Sequence, residues 1–504
     1  MSHTTLKLGS MAAGRFRFVD LFAGIGGFHA AMSALGGECV YAVEIDPNAA
    51  LVYKHNWGID PLGDITEDAD ADAGIMNVPD HDVLCAGFPC QPFSKSGAQR
   101  GMDEARGTLF FNIASIIKAR HPKVILLENV RNLIGPRHRH EWEVIIETLR
   151  DEGYLVSRDP AIFSPHLLPP HLGGTPQVRE RVFITATHAP HLSRDELEQA
   201  AVEPVARMSD RFPIQPGSTV TFNPRHDWDL EPLLDDAHNV VDCVLSDPEV
   251  HWINAWDEFV KIMRERMNGR PLPGHPIWAE TWLDFPEVQA VDWAASTSPV
   301  IARVSLPAID PGLPDWKRSH IAKNHDLFQR HHEDLVPWAH RWRLFTDAFT
   351  PSRRKLEWQA QDAKSLWDTV LHFRPSGIRA KKATYVPALV AITQTSIIGP
   401  RGRRLSPREA SRLQGLPDSF EFPNQRPSDV YRQMGNAVAV GAIWHIMKSH
   451  TTRDQHLLRR SNGGRRIVRA VMNAPLSPTG ILRAHAPAGV RPEHGSSKDA
   501  SRPA

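Results

Sequence analysis

A chain of 504 residues, 41% apolar and 23% charged, has ordinary globular composition and room for two or three domains. Lys plus Arg and Asp plus Glu both number 58, which excludes a global positive field as the means of holding a polyanion; such contacts would rest on local patches. No run of about 18 apolar residues marks a membrane span, and the opening MSHTTLKLGSMAAGRF lacks a signal-peptide core, so a cytoplasmic protein without membrane contact is expected.

Residues 16–188 alternate short apolar segments with helical ones. FRFVDLF (16–22), CVYAVE (39–44), DVLCAGF (82–88), KVILLEN (123–129) and RVFITA (181–186) read as strands. Helices are predicted at 47–56, 107–119 and 140–152. The alternation points to an α/β fold with a doubly wound, mostly parallel sheet. From 190 to 375 the periodicity weakens and Pro and Trp scatter, which predicts a second, irregular domain with helices at 252–268 and 353–370. Ser406-Pro407-Arg408-Glu409 carries a cap, a first-turn proline and a Glu three residues on, and so starts a helix running to about Gln414. A last helix is predicted over 427–448. The Arg-, Pro-, Gly- and Ser-rich tail 449–504 reads as disordered and basic.

DLFAGIGGFHAA (20–31) leads from the first strand into a helix, and its glycines allow a tight turn close to a ligand. It matches neither GxGxxG nor a Walker loop, which speaks against a nicotinamide dehydrogenase or a P-loop enzyme. Glu44 closes the next strand, where such folds place an acid on ribose hydroxyls, and Asp64 follows in GDIT. Together they suit an adenosine-type cofactor, although Gly24, Gly26 and Gly27 also suit plain tight packing.

The four cysteines, Cys39, Cys85, Cys90 and Cys243, show no CxxC spacing, so no metal site is expected and all are read as reduced thiols. Cys90, between two prolines in AGFPCQPFSKSG, is by itself either a small buried hydrophobe or a thiol at the mouth of a site. Glu128 closes KVILLE at the same carboxyl edge. Gln177, Arg179 and Arg181 alternate in TPQVRERVFI, so their side chains are expected to share one strand face.

With these segments in order, the chain resembles the DNA (cytosine-5) methyltransferases of bacterial restriction–modification type. The resemblance rests on FVDLFAGIGGF, YAVEID, GDI, GFPCQPFS, GTLFF, ENV, QVRER, LSPREASRLQGLPDSF and QMGNAV, spread over residues 16–188 and 372–447. It implies an S-adenosylmethionine-dependent enzyme with a catalytic part (1–189), a target-recognition domain (190–385) and late motifs returning to the catalytic domain (386–448). It further implies that Cys90 is the nucleophile, Glu128 the acid at cytosine N3 and Arg181 the contact to O2, with Arg179 and Gln177 as supporting neighbours. The cofactor residues it implies are Phe22, Gly24, Ile25, Gly26, Gly27, Glu44, Ile45, Asp64, Ile65, Pro89 and Asn436. Ile45 and Ala437 depart from the aromatic and the Ser that some members carry.

The implied substrate is double-stranded DNA. Gln91, Ser94, Ser96 and Arg100 fall in a Gly-, Ser- and Arg-containing stretch suited to closing over an extruded base. Gln177 joins these DNA contacts, as do Arg374 and Arg379, because arginine to guanine is the commonest base contact. A monomer is expected, with a cognate restriction endonuclease acting on the same site without forming a stable complex. Two alternatives stay open: a tRNA cytosine-5 methyltransferase, disfavoured by the nearly 200-residue variable region, and an inactive DNA-binding relative, disfavoured by the retained thiol.

Overall fold

The computed structural model describes residues 14–70, 73–89, 109–235, 240, 242–269, 271–390 and 395–484. They form two compact units, one of 14–224, 388–390 and 411–484 and the other of 225–387 and 395–410, each taken here on its own terms.

In the first unit, β1 (Phe16–Leu21), β2 (Gly37–Val43), β3 (Val83–Gly87) and β4 (Val124–Val130) are parallel, in the order β2-β1-β3-β4. Val19, Leu84, Ile125 and Leu127 are fully buried, as strands covered on both faces require. The helices α1 (Gly27–Ala34), α2 (Pro47–Trp57), α3 (Leu109–Arg120) and α4 (Arg139–Asp151) fall close to the segments the periodicity predicts. After β5 (Tyr154–Val156) and β6 (Ala161–Phe163), β7 (Arg181–His188) pairs antiparallel to β4, β5 and β6. Because it runs backwards, β7 begins where the parallel strands end, which brings Arg181 to their carboxyl edge. Strand order reverses between β1 and β3, the crevice in which open α/β sheets bind ligands.

The second unit is more regular than the sequence led us to expect. It holds α5 (Asp247–Arg266), α6 (Asp315–Arg341) and a sheet in the order β8 (Ile277–Trp278), β9 (Lys355–Gln359), β11 (Gly377–Lys382), β10 (Thr369–Arg374), β12 (Ile397–Ile398), β13 (Arg403–Arg404). The scattered tryptophans are its core: Trp256, Trp282 and Trp338 are fully buried against Phe259 and Phe328. The helix expected over 353–370 is instead β9 and two short turns, because Leu356 and Trp358 alternate inward between Lys355, Glu357 and Gln359. The unit begins at 225, not 190: Leu197 packs with Leu155, Ala189 and Leu457 in the first unit's core. Residues 395–410, expected with the late motifs, belong to the second unit.

Two expectations fail in the late segment. The single helix predicted over 427–448 is broken into α8 (Pro427–Asn436) and α9 (Val440–Leu458), following α7 (Pro407–Leu413). The tail read as disordered from 449 continues α9, then forms α10 (Asn462–Asn473) and α11 (Thr479–Arg483). Composition hid the stripe Ile467, Val468 and Val471, which is buried. Arg466 Nη2 holds both oxygens of Asp82 at 3.0 Å, docking α10 under the sheet. Residues 485–504 lie outside the described residues.

Candidate active site

A cleft of about 400 Å³ opens at the carboxyl ends of β1–β4. Its walls come from four strand ends: Phe22, Gly24 and Ile25 after β1, Glu44 and Ile45 after β2, Phe88 and Pro89 after β3, and Glu128, Asn129 and Val130 closing β4. Asp64 and Ile65, Arg179 and Arg181, and Arg432, Gln433 and Asn436 of α8 complete it.

The turn after β1 is held in left-handed backbone, with Phe22 at φ 56°, Gly24 at 55° and Gly26 at 91°. For phenylalanine that conformation is strained. Glu44 fixes the turn from the neighbouring strand: one carboxylate oxygen accepts from Gly24 N–H at 2.8 Å and the other from Asp46 N–H at 2.8 Å. Burial raises the Glu44 carboxyl above its ordinary range, although these backbone donors oppose the shift. The glycines divide by role. A Cβ on Gly24 would meet open space. On Gly26 it would overlap the Trp57 indole nitrogen, and on Gly27 it would lie 2.6 Å from Val438 Cγ2. Neither Gly26 nor Gly27 lines the cleft, so the packing reading holds for those two. Asp64 caps a short helical turn by accepting from Thr66 N–H at 2.9 Å, while Ile65 is buried beneath it and Ile45 stands exposed at the rim.

At the other end, Arg181 Nε lies 2.8 Å from Glu128 Oε1. That oxygen is buried, and among the described residues no donor aligns a hydrogen bond to it. Burial lifts the Glu128 carboxyl above its ordinary range against the pull of Arg181 and Arg179. Asn129, the next residue, donates from Nδ2 to Phe88 O at 3.0 Å and so fixes the end of β3. Cys90 follows Pro89 in sequence; it and Gln91, Ser94, Ser96 and Arg100 lie outside the described residues.

Gln177 departs from its expected place at the DNA, and the two arginines are positioned separately. The chain leaves strand conformation at 179–180, so Gln177, Arg179 and Arg181 do not share one continuous strand face. Gln177 is fully buried, donating to Leu413 O at 3.1 Å and accepting from Leu389 N–H at 3.2 Å, so its amide does not reach the surface where a DNA edge could meet it. Arg179 donates to Leu389 O at 3.0 Å, Gly435 O at 2.9 Å and Ala437 O at 2.6 Å. It thereby ties the α8–α9 break to the cleft, and burial pushes its guanidinium down to about 9. Arg374 and Arg379 stand in the second unit, both beside Glu357.

The sequence reading missed Asn129, Arg432 and Gln433. The helix that ends in QMGN carried the signal for the last two: Arg432 and Gln433 stand four and three residues before Asn436, so all three lie on the side that meets the cleft.

The family model for C-5 cytosine-specific DNA methylases matches residues 16–452. The chain belongs to that family. Among the C-5 cytosine-specific DNA methylases, it is 54% identical to the type II methyltransferase M.AluI of Cellulosimicrobium cellulans, covering 94% of this chain and 99% of that protein. It is 44% identical over 168 residues to M.HhaI of Haemophilus parahaemolyticus, covering 33% of this chain and 48% of the relative. To M.HgiEI of Herpetosiphon aurantiacus it is 30% identical, covering 85% and 95%. Methyl transfer to carbon 5 of cytosine in DNA is thus the activity of this chain. No described helix is long and apolar enough to cross a membrane.

Proposed function

We propose that this methylase carries out its reaction in the cleft of the first unit, with Cys90, Glu128 and Arg181 acting on an extruded cytosine. The observation that carries the reading is the Glu128–Arg181 pair, set at the mouth of the same crevice as the glycine turn and Pro89. Carbon 5 of cytosine is a poor nucleophile. A thiolate adding to carbon 6 converts the ring to an enamine, and cysteine supplies far more anion at neutral pH than serine would. Burial shifts the Glu128 carboxyl toward its protonated form, in which it donates at N3 as charge builds on the ring. Arg181, 18% exposed, keeps donors for O2 while paired to Glu128. Once carbon 5 carries the methyl group that the cofactor supplies, a base removes the carbon 5 hydrogen, and elimination restores the 5,6 double bond and releases Cys90. The target base leaves the duplex stack to reach these groups, at a cost of a few kcal/mol.

S-adenosylmethionine fits the other end of the cleft and supplies the electrophilic methyl group when bound. Open space at Gly24 leaves room for close approach. The Glu44 oxygens each retain a lone pair for ribose hydroxyls, and Ile45, Asp64 and Ile65 flank the position for adenine. Phe22, Ile25, Pro89 and Asn436 complete that wall. Gly26 and Gly27 serve it only through the packing of α1.

The substrate in this reading is a defined double-stranded DNA sequence read by the second unit, and the protein is the modification enzyme of a restriction–modification pair. It acts as a monomer, and its endonuclease shares only the site. The length of the second unit favours duplex DNA over tRNA. Incubation with labelled S-adenosylmethionine and unmethylated genomic DNA, followed by mapping of 5-methylcytosine, tests the reading. Methylation at one recurring sequence is the expected result. Absence of label from folded protein would refute it.

A further inference from the structure

The sheet of the second unit has an inward and an outward face. Burial alternates along β9, β11 and β10, so Lys355, Glu357, Gln359, Arg379, Lys381, His372 and Arg374 face away from the tryptophan core. Among these outward residues, Lys355, Arg374, Arg379 and Lys381 share the face with a single acid, Glu357. The register places Glu357, Arg379 and His372 in one row across three strands. Lys355 also meets Glu280 at 3.5 Å, which leaves Glu357 facing Arg379 and Arg374; burial and the neighbouring guanidinium groups depress both the His372 imidazole, to about 4, and the Lys381 ammonium.

Within that field Arg379 is held in a particular way. Its Nε lies 2.7 Å and its Nη2 2.6 Å from the same Glu357 oxygen, so the side edge of the guanidinium is occupied. The end edge, with Nη1 and the outer hydrogen of Nη2, is left for a second partner, and the side chain is 30% exposed. Arg374 Nη1 approaches the same oxygen at 3.6 Å, outside good hydrogen-bonding range. An arginine fixed from the side by a carboxylate loses less rotamer freedom on meeting a planar acceptor pair, and guanine O6 and N7 form such a pair in the major groove.

We propose that Glu357 is a positioning residue that presents Arg379 end-on to a guanine edge of the target sequence. The inference rests on the reading that the second unit selects the DNA sequence. Lys381 and Arg374 flank the contact and neutralise phosphates. Glu357 carries specificity without touching the base.

The test uses the full-length protein. Wild type first defines the methylated site, and failure at that stage counts against the proposed function rather than this inference. Every single-base substitution of that site is then assayed as a duplex for kcat/KM. Arg379→Lys is expected to reduce discrimination at one guanine position roughly ten- to hundredfold, leaving the others unchanged. Glu357→Gln should relax the same position by a smaller factor. Lys381→Ala should weaken binding to all sequences alike and lower the salt slope by about 1. Thermal melting of each variant separates loss of fold from loss of reading. If a folding-impaired Arg379 variant intervenes, the isosteric Glu357→Gln decides alone. Unchanged discrimination in Glu357→Gln, or uniform weakening at every position, would overturn the proposal.

Discussion

Arg179 donates to the carbonyl oxygen of Ala437 at 2.6 Å, linking residues 258 positions apart. The bond falls where α8 gives way to α9, so carbonyls that a continuous helix would satisfy internally are satisfied by this guanidinium instead. The cleft is therefore bordered by a segment that this buried side chain helps to place.

Arg179→Ala should be among the most damaging substitutions outside the reacting groups. It strands three carbonyls, those of Leu389, Gly435 and Ala437, at about 1–3 kcal/mol each where they stay buried. Arg179→Lys can satisfy only some of them. Urea unfolding should show a lower midpoint for both variants, with Lys intermediate.

Glu128→Gln should leave cofactor affinity intact and lower kcat by about 10²–10⁴. Since burial raises the Glu128 carboxyl, the wild-type rate should fall as pH rises through that elevated value, and the variant should lose this limb. Stability follows the same sign. A raised folded-state pKa means that protonation of Glu128 favours the fold at low pH and that this contribution is lost as pH rises through the folded value. The amide should therefore unfold at higher denaturant than wild type near neutrality, a difference that shrinks in acid. Stopped-time methylation and denaturant titrations across pH read both.

Gly24→Ala and Gly26→Ala offer a sharper contrast. Both positions have positive φ, costing an L-residue about 1–2 kcal/mol. Only at Gly26 does the added carbon collide with Trp57. The Gly26 variant should lose several degrees more in thermal melting. The Gly24 variant should keep most of its stability and instead bind S-adenosylmethionine more weakly by calorimetry.

Truncation after Arg459 should remove a working part of the fold. It deletes α10 with buried Ile467, Val468 and Val471, each contributing about 1.5–3 kcal/mol, and frees Asp82 from Arg466. We expect the truncated chain to be insoluble or readily digested by trypsin, whereas full-length protein resists cleavage across 462–473.

What the sequence disclosed follows a physical pattern. Short buried strands and the acids or arginines at their ends are local signals, so Glu44 and Glu128 were legible, and Arg181 with them. Gln177 was misjudged because its partners, Leu389 and Leu413, come from remote segments that no local pattern reveals. The glycine turn was read as one device, whereas the structure divides it between approach at Gly24 and packing at Gly26 and Gly27. The second unit looked irregular because its core is built from tryptophans on separate elements, which leave no regular period. The tail misled through composition, since arginines surround a narrow apolar stripe.

The contact between Gly27 and Val438 bears on the order in which the enzyme comes into being. The helix α1 rests against a segment that lies far later in the chain. A nascent chain carrying every reactive group still lacks the wall formed by Arg432, Gln433 and Asn436. The wall on that side of the cleft is therefore complete only once the returning segment seats against α1.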